Sequence, residues 1–207
     1  MKSNISTEEK LLLEAKKEFL EKGFERASMV NVAKRANVSH ATFHYYFRTK
    51  EQLFERICTD KMNHFFNVFN NSFRNGETDI VSKIVSAVGT QFDALCETPQ
   101  LPMFILNEII ANEKRAEMFR TKIIEFTQEH LEPMQEMVDT AIKRGEIAQI
   151  RLIDLMWDIL ALNLAAFMIL PFAAPIAKRL LDENKKTFLQ NRRQENIDLI
   201  RRRLTVA

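Results

Sequence analysis

Four glycines and five prolines in 207 residues are too few to punctuate a chain of short strands and tight turns, and this argues against an all-β fold. Cysteine is nearly missing. Cys58 and Cys96 stand far apart and without metal-ligand spacing, so no disulfide framework is implied and a reducing cytoplasm is the simple setting. The N-terminal "MKSNISTEEKLLLEAKKEF" has no uninterrupted apolar core of the kind a signal peptide carries. There is no Gly-rich loop to cradle a phosphate. The stretches "GTQFDAL" and "CETP" hold nucleophile-type side chains, but no histidine and carboxylate accompany them at a recognisable spacing. The chain is therefore not expected to be an enzyme, and no cofactor or metal is expected. Internal repeats and low-complexity segments are also lacking.

What is present is helix-forming and apolar. Hydrophobic residues make up 46% of the chain, with sixteen Phe and nine Met, enough for a sizeable helical core or an apolar pocket. The net charge of +2 conceals a division. Residues 1–54 carry ten Lys and Arg against seven Asp and Glu, residues 55–177 eleven against seventeen, and residues 178–207 nine against four. The two basic ends suit a polyanion and the acidic middle does not.

Periodicity divides the chain into about nine helices. A first runs from about Thr7 to Lys22, with Leu12, Ala15 and Phe19 as its apolar stripe and Lys and Glu opposite. Thr7 is followed three residues on by Lys10, so the pair makes no capping box, although Glu8 and Glu9 suit the helix start. Gly23 ends this helix where a left-handed residue is wanted. Ser28 caps a short second helix reaching about Ala36, with Val32 and Ala33 inward. "ANVS" makes a tight turn in which Asn37 takes the positive φ. Ser39 caps a third helix, about His40 to Phe47, whose buried side is Val38, Phe43 and Phe47. Thr49, with Gln52 three residues on, opens a fourth helix over about 50–73. "RNGETD" (74–79) is the clearest boundary, and further helices follow near 79–96, 102–112, 114–144, 151–170 and 186–204.

Two short helices joined by a three- or four-residue turn on a basic module describe a helix-turn-helix. His40, Ala41, His44 and Tyr45 lie away from the buried side of the third helix, where base edges would be met. Tyr46 and Lys50 are placed for phosphates, and a small Ala41 permits close approach. His40 and His44 also share a helix face, as zinc-binding imidazoles do. No Glu stands beside the first, and no third ligand is evident nearby, so the pair is read as part of a DNA face. The competing readings are packing of Tyr45 and Tyr46 against the fourth helix, and a plain surface role for Lys50.

The stretch "EAKKEFLEKGFERASMVNVAKRANVSHATFHYYFRTKEQLF" resembles the N-terminal domain of TetR-family transcription regulators. The match runs through Ala15, Phe19, Gly23, Phe24, Ser28, Val32, Ala33, Ala36, Val38, Ser39, Thr42, Phe43, Tyr46, Phe47, Lys50, Glu51 and Leu53. It departs at Asn37 and Ala41, where glycine is usual or frequent, and at His44, where the family most often has tyrosine. The resemblance implies an all-α protein with a helix-turn-helix DNA-binding domain over 1–53 and an effector-binding and dimerisation domain over 54–207, joined by the fourth helix. It also implies DNA contact through Ser28, Ser39, His40, Ala41, Thr42, His44, Tyr45, Tyr46 and Lys50. The expected activity is that of a cytoplasmic, dimeric, ligand-responsive repressor of a near-palindromic double-stranded operator, released by a small apolar or amphipathic effector. A helix-turn-helix protein controlled by a protein partner is the alternative.

Beyond residue 75 no strong motif appears. Candidate pocket residues between the long helices are Phe92, Met103, Phe104, Asn107, Phe126, Met134, Trp157, Asn163, Phe167 and Met168, with ordinary core as the competing reading for the apolar ones. A buried Asn107 or Asn163 needs partners, and a ligand is one, a mate across a dimer another. The uncharged run "ILALNLAAFMILPFAAPIA" (159–177) touches the length of a membrane span. Pro171, Pro175 and Asn163 interrupt it, and a helix buried between its own core and a second subunit reads the same way. With Phe188, Leu189, Ile197, Leu199, Ile200 and Leu204 on the last helix, it predicts a homodimer through the helices near 151–170 and 186–204. A membrane-anchored helical protein remains the less favoured reading.

Overall fold

A computed structural model describes residues 6–74 and 79–206. Among them are ten α-helices and no strand: α1 (Thr7–Arg26), α2 (Met29–Arg35), α3 (His40–Tyr46), α4 (Lys50–Arg74), α5 (Ile80–Cys96), α6 (Leu101–Ala111), α7 (Glu113–Lys143), α8 (Leu152–Met168), α9 (Leu170–Leu181) and α10 (Lys185–Leu204). The fold class is the expected one, with one helix more than expected. Residues 75–78 of the boundary segment "RNGETD" lie outside the described residues.

The extra helix comes from the uncharged run. α8 ends at Met168 and α9 starts at Leu170 with Pro171 in its first turn, where a missing N–H costs nothing. The two axes bend by 69°. Among the described residues no single helix is long and apolar enough to cross a membrane; α8 and α9 pass that test only as this bent pair.

At the N-terminus the cap sits one residue earlier than the sequence reading placed it. Ser6 and Glu9 form a reciprocal capping box. Leu11, Ala15 and Phe19 are buried on one i+4 row, and Leu12 is half-buried beside them. Gly23 breaks the helix with φ 73° and ψ 168°, a combination essentially reserved for glycine. The break turns Phe24 back onto Phe19, ring centroids 5.7 Å apart, and onto Phe54, 5.2 Å.

The charged face expected for α1 holds an exception. Glu18 is fully buried, 0% exposed. Its Oε1 accepts from Lys22 Nζ at 2.8 Å, the Ser28 backbone N–H at 3.1 Å and Asn31 Nδ2 at 3.4 Å. Its Oε2 stands 3.4 Å from Arg35 Nη2. One carboxylate thus gathers both ends of α2 against α1. Burial pushes the Glu18 carboxyl up. The bonds from Lys22, Ser28 and Asn31, with the charge of Lys22, pull it down and prevail, so it sits below its ordinary value.

Two larger cores follow. One joins α1–α4 to Phe119 of α7, with Phe104 of α6 packed on it, 5.9 Å from the Phe54 ring and 6.4 Å from Phe19. The other lies among α4, α5, α7, α8 and α10. Polar contacts reinforce the first. The Phe24 N–H donates to Glu108 Oε1 at 3.3 Å, and the Arg115 guanidinium lies 3.6 Å from the Phe24 ring centre while pairing with Glu108 and Glu25. Lys16 on α1 donates to Thr98 after α5.

The last helix corrects the sequence reading. Leu189, Ile197, Ile200 and Leu204 are buried within this chain, Phe188 is packed in part, and only Leu199 of that set is exposed. α10 packs on α5, α8 and α9 and spends its apolar face there. An exposed apolar patch lies on α9 instead, where Phe172 is 75% and Leu180 72% exposed, with Ile169, Ile176 and Leu181 alongside.

A carboxyl held low in the fold stabilises above its unfolded value, about 4.3 for Glu, and loses that contribution as pH falls through the lower folded value. Glu18→Gln should cost about 2–4 kcal/mol at pH 7. The gap in melting temperature from wild type, followed by circular dichroism, should narrow below about pH 4. An equal gap at pH 7 and pH 3 would show that the charge is not the source.

Candidate nucleic-acid interface and effector cavity

α2 and α3 are held by serine caps and a strained turn. Ser28 Oγ accepts from Asn31 N at 3.5 Å, and Ser39 Oγ from Thr42 N at 3.0 Å. Ser39 Oγ also lies 2.8 Å from Thr42 Oγ1. Between the helices Asn37 takes φ 55°, the conformation expected of it, and the Val38 N–H closes the turn onto Ala33 O at 3.0 Å. Phe43 and Phe47 are buried beneath α3, and Val38 is half-buried. This anchoring turns the other face outward. His40, Ala41, His44, Tyr45 and Tyr46 are all exposed, Tyr45 by 83%, and Thr42 is half-buried.

The two histidines meet across one turn, Nε2 to Nε2 at 3.2 Å. Among the described residues no third His, Cys, Asp or Glu joins them in a metal-binding group. The tyrosine rings touch edge to face, with centroids 5.2 Å apart, and neither is buried under α4. Lys50 is placed differently from the sequence reading. Its ammonium donates to Glu25 O at 3.0 Å and lies 4.6 Å from the Phe24 ring centre, tying α4 to the end of α1. The cations that stand exposed on either side of α3, without an ion pair among the described residues, are Lys34 and Arg48. Sequence reasoning passed over both. Their signal is position alone, a basic residue just outside each end of the turn and reading helix.

A cavity of about 300 Å³ lies among α4, α5, α6, α7 and α8. Of the ten candidates named from sequence, Phe126, Trp157 and Met168 line it. Trp157 is half-exposed, and Phe126 is stacked on Phe66 at 4.1 Å. The other seven are elsewhere. Phe92 and Phe167 pair at 5.0 Å in a separate small core, Met134 is in the main core, and Phe104 packs under the N-terminal domain. Asn107 is exposed, and Met103 is half-buried away from the lining.

Asn163 is fully buried, and its partners belong to this chain. Its Nδ2 donates to Val88 O and Gln91 Oε1, and its Oδ1 accepts from Asn196.

Sequence reasoning missed the wall that α4 supplies, Met62, Phe65, Phe66 and Phe69, because one face of a helix cannot be assigned to pocket or core by period alone. It also missed the polar members, Lys61, His64 and Gln91. Lys61 Nζ and His64 Nε2 each lie 3.2 Å from Glu97. Burial pushes the Glu97 carboxyl up, and the bonds and charges from these two outweigh it and hold it below its ordinary value.

Residues 11–57 match the family described as "Bacterial regulatory proteins, tetR family". No curated protein matches the sequence. Solved structures similar over nearly the whole chain include a bacterial regulatory protein in the tetR family from Rhodococcus RHA1, with TM-score 0.70 and 13% identity, covering 98% of each chain. The transcriptional regulator FadR from Bacillus subtilis, in complex with stearoyl-CoA, has TM-score 0.67 and 18% identity over 94% of this chain and 98% of that one. A Clostridium perfringens protein described as a fatty acid metabolism regulator has TM-score 0.67 and 16% identity over 95% and 99%. At these identities the structural likeness speaks for the fold, and the residue match speaks for the N-terminal domain. The segment that matches the tetR family is the one that carries the exposed α3 face, and the chain as a whole shares the fold of these solved regulators.

Proposed function

We propose that the protein is a cytoplasmic repressor that binds a near-palindromic operator as a homodimer and is released by a small apolar or amphipathic effector. The observation that carries this reading is the α3 face. Phe43 and Phe47 fix the helix from below, and His40, Ala41, His44 and Tyr45 stand exposed above. The head ends near residue 53, the body begins at 54, and α4 belongs to both. Ser28 and Ser39 serve as caps whose hydroxyls lie at helix starts, where phosphates are met. Thr42 and Tyr46 flank the reading face. Lys50, with its ammonium on Glu25 O, acts by holding α4 to the head.

The cavity supports the effector. Its volume lies at the lower end of small-molecule sites, and its walls are almost wholly apolar. Partly exposed Lys61 and His64 suit an amphipathic molecule with an anionic end. Two proteins of the same fold point the same way, one solved with stearoyl-CoA and one described as a fatty acid metabolism regulator. α4 forms one wall of the cavity and begins at the head, so a ligand that favours one placement of α4 biases the spacing of two heads. It does so only by binding the two states unequally, about 1.4 kcal/mol for a tenfold difference.

The exposed apolar face of α9, continued by Ala161 and Ala165 on α8, is the dimer contact this reading uses. This keeps α8 of the expected pair and replaces most of α10 with α9.

Selection from random DNA should return a near-palindrome with half-sites about 34 Å apart, and acyl compounds should release it. Recovery of no preferred sequence would end the repressor reading. His44→Ala should cost about 1–3 kcal/mol on the selected site and little on random DNA. Equal affinity of variant and wild type for the selected site would remove His44 from the reading face. Sedimentation should give about 48 kDa, twice 24.2 kDa, and Phe172→Glu with Leu180→Glu should give a monomer at micromolar concentration. A dimer that survives both substitutions places the contact elsewhere.

A further inference from the structure

Three amides run from the surface of α10 to the cavity, and their directions are determined. Arg192 can only donate, and its Nη2 lies 3.0 Å from Asn196 Oδ1. Asn196 Nδ2 must then be the group that faces Leu162 O, at 3.1 Å, and Asn163 Oδ1, at 3.0 Å. The carbonyl of Leu162 can only accept, which fixes the same direction a second time. Asn163 is thereby left to donate through Nδ2, to Val88 O at 3.0 Å and to Gln91 Oε1 at 3.1 Å. Gln91 receives with its oxygen, and its Nε2–H2 is the end that remains.

That end meets the cavity. Gln91 is 5% exposed and lines it, on the same face of α5 as Ala94 and Leu95. Among the described residues its Nε2 makes no hydrogen bond to the protein, and it keeps accessible surface rather than being sealed in the core, so it opens into the cavity. Once a ligand fills the apolar chamber and excludes water, a donor on its wall is costly to leave unmatched, and worth about tenfold in affinity to a ligand that matches it.

We propose that Gln91 is the specificity-determining donor of the cavity, binding a carbonyl oxygen carried by an otherwise apolar, acyl-type ligand. The proposal rests on the cavity being the effector site. Asn163 and Asn196 are positioning residues that hold the donor toward the ligand. Their burial removes water as a competitor along the chain of amides, so the direction set at Arg192 is transmitted without loss of sense.

The test compares methyl hexyl ketone with octane, matched in chain length, on the full-length protein. The single tryptophan, Trp157, lines the cavity and reports binding by its fluorescence. Gln91→Leu should weaken the ketone about tenfold and leave octane unchanged or tighter. Retained octane binding shows that the cavity survives the substitution. If Gln91→Leu does not fold, Gln91→Met is compared in the same way. Loss of both probes in equal measure, or no change in the ketone, overturns the role of Gln91 and leaves the effector cavity standing. Failure of both probes to bind the wild type overturns the cavity reading and this proposal with it.

Discussion

The placement of the reading helix depends on one buried carboxylate. Glu18 is the only charged group in the fully buried part of the N-terminal core among the described residues, and it holds the N–H of Ser28, the N-cap of α2, the Asn31 side chain and Arg35 from a single point on α1. A buried charge is tolerated only when it is surrounded by donors, and here the donors are the two ends of the helix that precedes the turn. The arrangement converts a solvation penalty into an angular constraint. α2 cannot rotate on α1 without stranding the charge, and α3 follows α2 through the Asn37 turn.

The body of the protein uses neutral amides for a related purpose. Asn163 and Asn196 are wholly buried and fully engaged, and they lock α5, α8 and α10 together at one level of the bundle. Apolar packing alone allows helices to slide by a turn; a set of amides with a fixed direction does not. The same set ends at the cavity, so core register and the chemistry offered to a ligand come from one source. Above it, α4 is shared between the cavity wall and the N-terminal core through Phe54, Ile57 and Cys58 at one end and Phe66 and Phe69 at the other.

The N-terminal third was legible because its signals are local. Ser28, Ser39, Gly23 and Asn37 act on their own backbone, so their roles can be read from residue type and spacing, and all four are found where that reading put them. Glu18 was not legible. A glutamate among lysines on an amphipathic helix looks solvated, and only the approach of α2 buries it. The cavity was harder still. Phe92, Phe104, Met134 and Phe167 are as apolar as Phe126 and Trp157, and what separates lining from core is the arrangement of five helices rather than any property of one. The α8–α9 corner shows the middle case. Pro171 marked an interruption in the sequence, but whether the chain resumes as a second helix depends on Leu170 and Ala177 finding buried positions.

Phe104 and Phe119 belong to the body by sequence and to the head by packing. Phe104 packs on the rings of Phe19 and Phe54, Phe119 is buried in the same core, and Arg115 lies over the Phe24 ring. The head is consequently not a cassette. A fragment ending after α4 would expose these rings to water, and a head transplanted from another protein of this fold would meet a body whose α6 and α7 were shaped for different side chains. Within this protein, sequence change at the join is constrained in pairs: a residue of α1 and the residue of α6 or α7 that touches it must change together.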